Sequence, residues 1–420
     1  MTIPQRLLGL TAALSWLSCD GCLGLHTSPV DRLGSTLPQS CQSPAPVIAP
    51  QRLDILFVID NSSSMSEEQE AVAQELTQFI EAIRAAGGVR QDFQVGVITT
   101  SVYLYGRKGN LSWYHPPTSS AGRLRPIPDV LPDGGYLLET DHERLLSGED
   151  PNLVDKFSRL VHQGTSGSGQ ETPFEAVRLA LLGGPSTIPL ADGGNQGFLR
   201  DGARLLVVVL TDEDDCSEVV QSGPDWRPTV TVSDDLLVAD CTVQANSLYP
   251  VSEYHRLFTT QLPSRDGSPR DLVWAAIAPV SRSTPHAAQQ VTQDGHVRNI
   301  DCPTSNQAGY RHLAMAQLFD PSLANLDSIC RESFRETLIH IASLASVSQI
   351  LEVTDVFDGR LMRVAITRAD GGVDTCTLLN EGLLSFTSGL DGGTAKVQFG
   401  HQCLRRADDT AISVQLLCAN

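Results

Sequence analysis

Up to about residue 347 two kinds of apolar pattern alternate along the chain. "LDILFVID" (53–60) is a run of β-branched and large apolar residues without two-residue alternation, as expected of a parallel strand buried on both faces. From Ser66 onward the period changes. Val72, Leu76, Phe79, Ile80 and Ile83 fall on one helical face, Ser66 with Gln69 has the spacing of a capping box, and Gly87-Gly88 supplies a stop. The same reading predicts strands over 92–100, 204–212 and 271–279, and helices over 151–163, 173–182, 248–262 and 310–318. A last helix, "CRESFRETLIHIASLA" (330–345), would bury Phe334, Leu338, Ile341, Ala342 and Ala345.

Strand alternating with helix predicts an α/β fold: a mostly parallel central sheet, Rossmann-like, with helices on both faces. From Ser348 the pattern shifts to short two-residue alternation with Asp-Gly turns, so 348–420 reads as a small antiparallel β module. Glycine- and proline-rich segments over 101–150 and 213–247 are long enough to be functional loops. The four Asp-Gly-Gly triplets, at Asp133, Asp192, Asp370 and Asp391, read as turns, since none continues into a calcium-loop ligand pattern.

The N-terminus has another character. One arginine precedes an apolar run from Leu7 to Leu17, too short to span a bilayer and suited to the hydrophobic region of a secretory signal. Cys19 follows it directly, which resembles a bacterial lipoprotein signal (1–22) in which that cysteine carries the lipid; Cys22, after Gly21, is the alternative, and a plainly cleaved signal is the other reading. Residues 23–50 are rich in Pro and Ser and read as a flexible tether, leaving 51–347 as the main domain.

Export changes the expectation for cysteine. Of the ten cysteines, eight lie beyond Cys22: Cys41, Cys216, Cys241, Cys302, Cys330, Cys376, Cys403 and Cys418. None of these pairs has C-x-x-C spacing, so disulfides are expected rather than zinc, with Cys216–Cys241 and Cys302–Cys330 the nearest sequential pairings. Thirty Lys plus Arg against 49 Asp plus Glu give a formal charge of −19, which repels nucleic acid and anionic headgroups. Contact with a membrane is expected through the lipid anchor only.

Two of the buried strands end in aspartate, "FVIDNSSS" at Asp60 and "VVVLTDEDD" at Asp212. In a parallel α/β sheet ligands collect outside the carboxyl ends of the strands, and two serines, Ser62 and Ser64, follow Asp60 in the turn before the helix. Carboxylates with hydroxyls form an all-oxygen set suited to Mg²⁺ or Mn²⁺. The plainer reading of Asp60, Ser62 and Ser64 is helix capping, and that of Glu213, Asp214 and Asp215 a solvated acidic rim. The ten histidines show no metal-ligand spacing and are assigned no role.

Strand-D-x-S-x-S-helix with a later strand ending in Thr-Asp resembles the metal-ion-dependent adhesion site of von Willebrand factor A domains. "GSGQETPFEAVRLAL" and "GFLRDGARLLVVVLTDEDDCS" resemble in particular the bacterial lipoprotein branch, the resemblance spanning roughly 51–347. It implies Ser62 and Ser64 as direct ligands, Asp60 and Asp212 acting through water, and a further ligand at Glu171 or Thr172. Thr172 has a rival task, since Thr172-Pro173-Phe174-Glu175 also has the form of a capping box. A protein ligand would complete the shell with an acidic side chain, approached from loops 100–150 and 213–247. No enzymatic activity is expected. The alternatives are an exported metal-dependent hydrolase with Asp60 or a neighbouring serine as nucleophile, for which the sequence has no supporting acid-base motif, and a scaffold with a degenerate site.

Overall fold

In the computed structural model the described residues are 48, 51–108, 111–115, 137–165, 167–183, 195–221, 225–230, 241, 244–262, 270–286, 299–305, 307–354, 356, 362–388 and 394–416. The signal segment, Cys19, Cys22, Cys41, Cys418, nearly all of the tether and three of the Asp-Gly-Gly triplets lie outside them.

The first strand, β1 (Gln51–Ile59), leads into α1 (Ser66–Ala85) and returns as β2 (Gln91–Thr99). A hairpin, β3 (Leu104–Lys108) and β4 (Leu111–His115), precedes the two-residue β5 (Leu146–Ser147), α2 (Leu153–Val161) and α3 (Pro173–Leu182). Next come β6 (Arg204–Leu210), α4 (Val251–Thr260), β7 (Leu272–Ala278), α5 (Tyr310–Leu318), β8 (Ala324–Ser328) and α6 (Arg335–Ser346). The six-stranded sheet runs β5-β2-β1-β6-β7-β8, all neighbours parallel except β5 against β2.

This is a doubly wound order that reverses between β1 and β6, the place where such sheets bind ligands. β6 is buried from end to end and β1 from Leu53 onward, and their side chains divide by alternation. Leu53, Ile55, Phe57 and Ile59 face α1, α2 and α6; Leu56 and Val58 face the layer of α3, α4 and α5. Phe57 holds Phe79 and Phe157 edge-on at 5.5 and 4.8 Å, pinning α1 and α2 to the same spot on β1.

Beyond Ser346 the chain forms β9 (Ile350–Thr354), β10 (Met362–Thr367), β11 (Val373–Cys376), β12 (Leu383–Ser388), β13 (Thr394–Phe399) and β14 (Ala411–Leu416). They make two three-stranded antiparallel sheets, β11-β10-β14 and β12-β13-β9, whose inner residues, among them Leu351, Val364, Ile366, Val397 and Phe399, share one apolar core. Val89, just after α1, belongs to that core as well. Arg405 bonds the carbonyls of Ser348 and Gly87 at 2.7 and 3.1 Å, and Gly87 N–H donates to Ala407 at 3.1 Å. Gly88, at φ +65°, passes so near β14 that a Cβ would stand 2.9 Å from the Ala411 nitrogen.

Disulfides join Cys216–Cys241, Cys302–Cys330 and Cys376–Cys403. Among the described residues no helix is long and apolar enough to cross a membrane.

The helices and central strands stand close to where the apolar periods place them, except that the last helix begins at Arg335 and not at Cys330, and both expected capping boxes are absent. Ser66 is the first residue of α1, whose N-cap is Met65, and no side chain caps it. Gln69 instead reaches sideways, donating to the carbonyls of Asp60 at 2.8 Å and Gly164 at 3.0 Å. Thr172 does occupy the N-cap of α3 with Pro173 behind it, yet its hydroxyl makes no cap bond.

Candidate functional site

The backbone brings the two aspartate ends together. Asp60 N–H donates to Leu210 at 2.9 Å and Thr100 N–H to Ile59 at 3.1 Å, so β2, β1 and β6 end side by side. The chain then turns, and alternation in the Asp60–Ser64 loop sorts the side chains. Asp60 and Ser62 are buried, Ser63 is exposed, and Ser64 is half-buried.

Asp60 is fully enclosed. One carboxylate oxygen accepts Ser62 N–H at 2.7 Å and the other the Thr211 hydroxyl at 2.6 Å. Ser62 and Ser64 hydroxyls stand 3.4 Å apart, and Ser64 donates to Asp212 at 3.2 Å. The chain from Asp60 through both serines to Asp212 is therefore continuous across the strand reversal.

Glu171 enters from the loop before α3 and is also fully buried. One of its oxygens takes the Thr100 hydroxyl; the other has no hydrogen-bond partner. Thr172 turns the other way, donating its hydroxyl to the Thr100 carbonyl at 2.7 Å. Of the two neighbours, Glu171 lies in the field of Asp60, Glu213 and Asp212, and Thr172 fastens α3 to the end of β2.

Burial, followed by the Asp60 charge, raises Asp212 to about 8 and drives Glu171 well above the carboxylate range; burial likewise raises Asp60. Glu68, in the first turn of α1, faces the same group and has a buried oxygen without a partner, and its carboxyl too is raised, chiefly by burial. None of Asp60, Glu68, Glu171 and Asp212 makes an ion pair with a lysine or arginine among the described residues. No three His, Cys, Asp or Glu side chains among the described residues close on one point, so a shell here would be mixed, carboxylate and hydroxyl. Buried carboxyls with no lysine or arginine paired to them among the described residues, two of them, Glu68 and Glu171, with an unpartnered oxygen, fit the oxygen chemistry of a hard divalent ion.

The acidic run after Asp212 is no solvated rim. Glu213, Asp214 and Asp215 are buried, and two of them act as caps for helices elsewhere in the chain. Asp214 accepts Arg311 N–H at the start of α5 at 2.9 Å; Asp215 accepts Phe174 N–H at the start of α3 at 3.1 Å, while Ser217 accepts Glu175 N–H at 3.0 Å. Arg311 then pairs with Asp215 at 2.8 Å. Free N–H groups at helix starts attract such acceptors, which is why the run is drawn inward. Glu213 receives Gln307 at 3.1 Å and adds to the negative field at Glu171.

The sequence pattern includes Thr211 as the threonine of the strand-end Thr-Asp but assigns it no role of its own; Thr100 and Glu68 have no place in it and carry no signal without the fold.

No family profile matches the sequence, and no curated protein does. Among solved structures the chain is similar to a von Willebrand factor type A protein from Catenulispora acidiphila, with 12% identity, 89% of this chain and 59% of that one covered, and a TM-score of 0.34. It is similar to proximal thread matrix protein 1 from the mussel byssus, with 12% identity, 74% and 51% coverage and a TM-score of 0.32. The manganese-loaded TRAP protein of Plasmodium vivax has 9% identity, 74% and 89% coverage and a TM-score of 0.30. The chain spans 51% and 59% of the first two structures' own lengths. Overlaps of this size leave the function to be argued from the chain's own strand order and strand-end residues.

Proposed function

We propose that this chain is an exported, non-enzymatic protein-binding module of the von Willebrand factor A type, held on a bacterial cell envelope by a lipidated Cys19 and dependent on Mg²⁺ or Mn²⁺. Residues 51–347 form the binding domain and 348–420 an accessory β module. The reading rests on one observation, the continuous line Asp60–Ser62–Ser64–Asp212 at the strand reversal. Ser62 and Ser64 would hold the ion, and Glu171 rather than Thr172 would add the further ligand. With both its oxygens bonded to Ser62 and Thr211, Asp60 orients the loop instead of reaching the ion directly. A bound cation supplies positive charge that offsets the buried carboxyls at the strand ends.

Thermal unfolding of the purified protein with chelator and with Mg²⁺ or Mn²⁺ tests the reading. The cation should raise Tm by several degrees, and Asp212→Ala should abolish the gain. Equal Tm in chelator and in millimolar cation would overturn it, as would turnover of phosphate or ester substrates lost in the same variant.

A further inference from the structure

The ligand group is closed. Asp60 and Glu171 are 0% exposed, Asp212 2% and Ser62 3%, leaving half-buried Ser64 as the member nearest solvent. A partner's carboxylate would have to enter past these groups and join a buried region that already holds several carboxyls. Three of them, Asp60, Glu171 and Asp212, carry up to three negative charges against the two of the ion. The buried Glu171 oxygen without a partner is the acceptor such an ion lacks.

Resting on the cation reading above, we propose that Glu171 takes the coordination place a partner's acidic side chain would otherwise fill, making the site self-completed. The ion then clamps the Asp60–Ser64 loop, the loop residues 167–172 before α3 and the end of β6 from within. The partner's contact at this face is a neutral or basic group, not a carboxylate.

Three measurements test this. Calorimetric titration with Mn²⁺ should show Glu171→Gln and Glu171→Thr binding the ion roughly tenfold or more weakly than the parent protein. Water-proton relaxation of Mn²⁺ on the unaltered protein should show few exchangeable waters, with no change on adding acetate, a readout independent of whether the variants fold. An oligoglutamate peptide should bind the Mn²⁺-loaded Glu171→Thr protein at least roughly tenfold more tightly than the loaded parent.

Parent protein that takes up Mn²⁺ with acetate-sensitive waters, or variants whose Mn²⁺ affinity or oligoglutamate affinity equals the parent's, would overturn self-completion alone. Parent protein that takes up no Mn²⁺ would overturn the cation reading and this inference with it.

Discussion

The Thr211 hydroxyl meets the Asp60 carboxylate at 2.6 Å across the join between β1 and β6. That bond ties the two strand ends together, and Asp60 adds to burial in raising Asp212 and Glu171. Without a cation these carboxyls favour the protonated form, and their charge has a cost that depends on pH.

The sign follows from linkage. Asp212 and Asp214 have folded-state values of about 8 and about 7, above an unfolded value of about 4, so the stability they contribute is complete below that unfolded value and is lost as pH rises through 7 and 8. His312 is held down to about 4 by burial and acts in the opposite sense, but its change ends near the ordinary imidazole value of about 6.5. In chelator, Tm should therefore fall by several degrees between about pH 6.5 and 8.5. Mg²⁺ should restore most of the loss at the upper end. A chelated protein whose Tm is flat or rising across that window would contradict the burial of these carboxyls.

Gly167 N–H donates to the Asn61 carbonyl at 2.7 Å, joining the loop before α3 to the loop that carries both serines. A Cβ there would stand 2.1 Å from the Asn61 side-chain oxygen and 2.7 Å from its carbonyl. Gly167→Ala must push the loops apart. It should lower stability by about 1–3 kcal/mol and reduce the cation-dependent gain in Tm, as read by denaturant titration with and without Mg²⁺. Unchanged values in both would show that the contact is not needed.

How much of this could be read from residues alone depended on whether tertiary partners intervene. Ile55–Ile59 of β1, Leu205–Leu210 of β6 and the whole of β7 are continuous apolar runs, and burial on two faces leaves no other use for them. β8, "ANLDS", was not expected: it lies at the sheet edge, where Asn325 and Asp327 are tolerated and the apolar signal disappears. The strand-end aspartates were legible because the parallel order dictates which ends converge. The choice between Glu171 and Thr172 was not, since spacing says nothing about which of two adjacent side chains turns inward. The capping boxes failed for a related reason. Helix α3 takes its acceptors from Asp215 and Ser217, more than forty positions away in the chain.

Cys376–Cys403 closes the β11 end against the turn after β13, a sequence separation of 27. A loop of that length constrains the unfolded chain by about 3–4 kcal/mol in the chain-entropy account. Replacing both cysteines by serine should lower stability of the antiparallel sheets by that order, seen as an earlier unfolding step in calorimetry. The Mg²⁺ response should persist, because the strand-end site draws no ligand from β9 to β14. Loss of that response in the double variant would mean that the sheets support the site after all.

Asp215 offers the sharpest test of the inward acidic loop. Its carboxylate caps α3 through Phe174 N–H, accepts from Ser217 N–H and hydroxyl, and pairs with Arg311, itself 7% exposed. Asp215→Ala removes the cap and takes the ion-pair partner from a buried guanidinium, a loss of about 3–5 kcal/mol. Asp215→Asn keeps an acceptor for the helix and loses only the charge, so it should cost less. Pairing Asp215→Ala with Arg311→Met should recover part of the loss, since the stranded cation goes too. Denaturant midpoints for the two singles and the double decide it: purely additive losses would mean that Arg311 and Asp215 act separately, and that the acidic run is held inward by the helix starts alone.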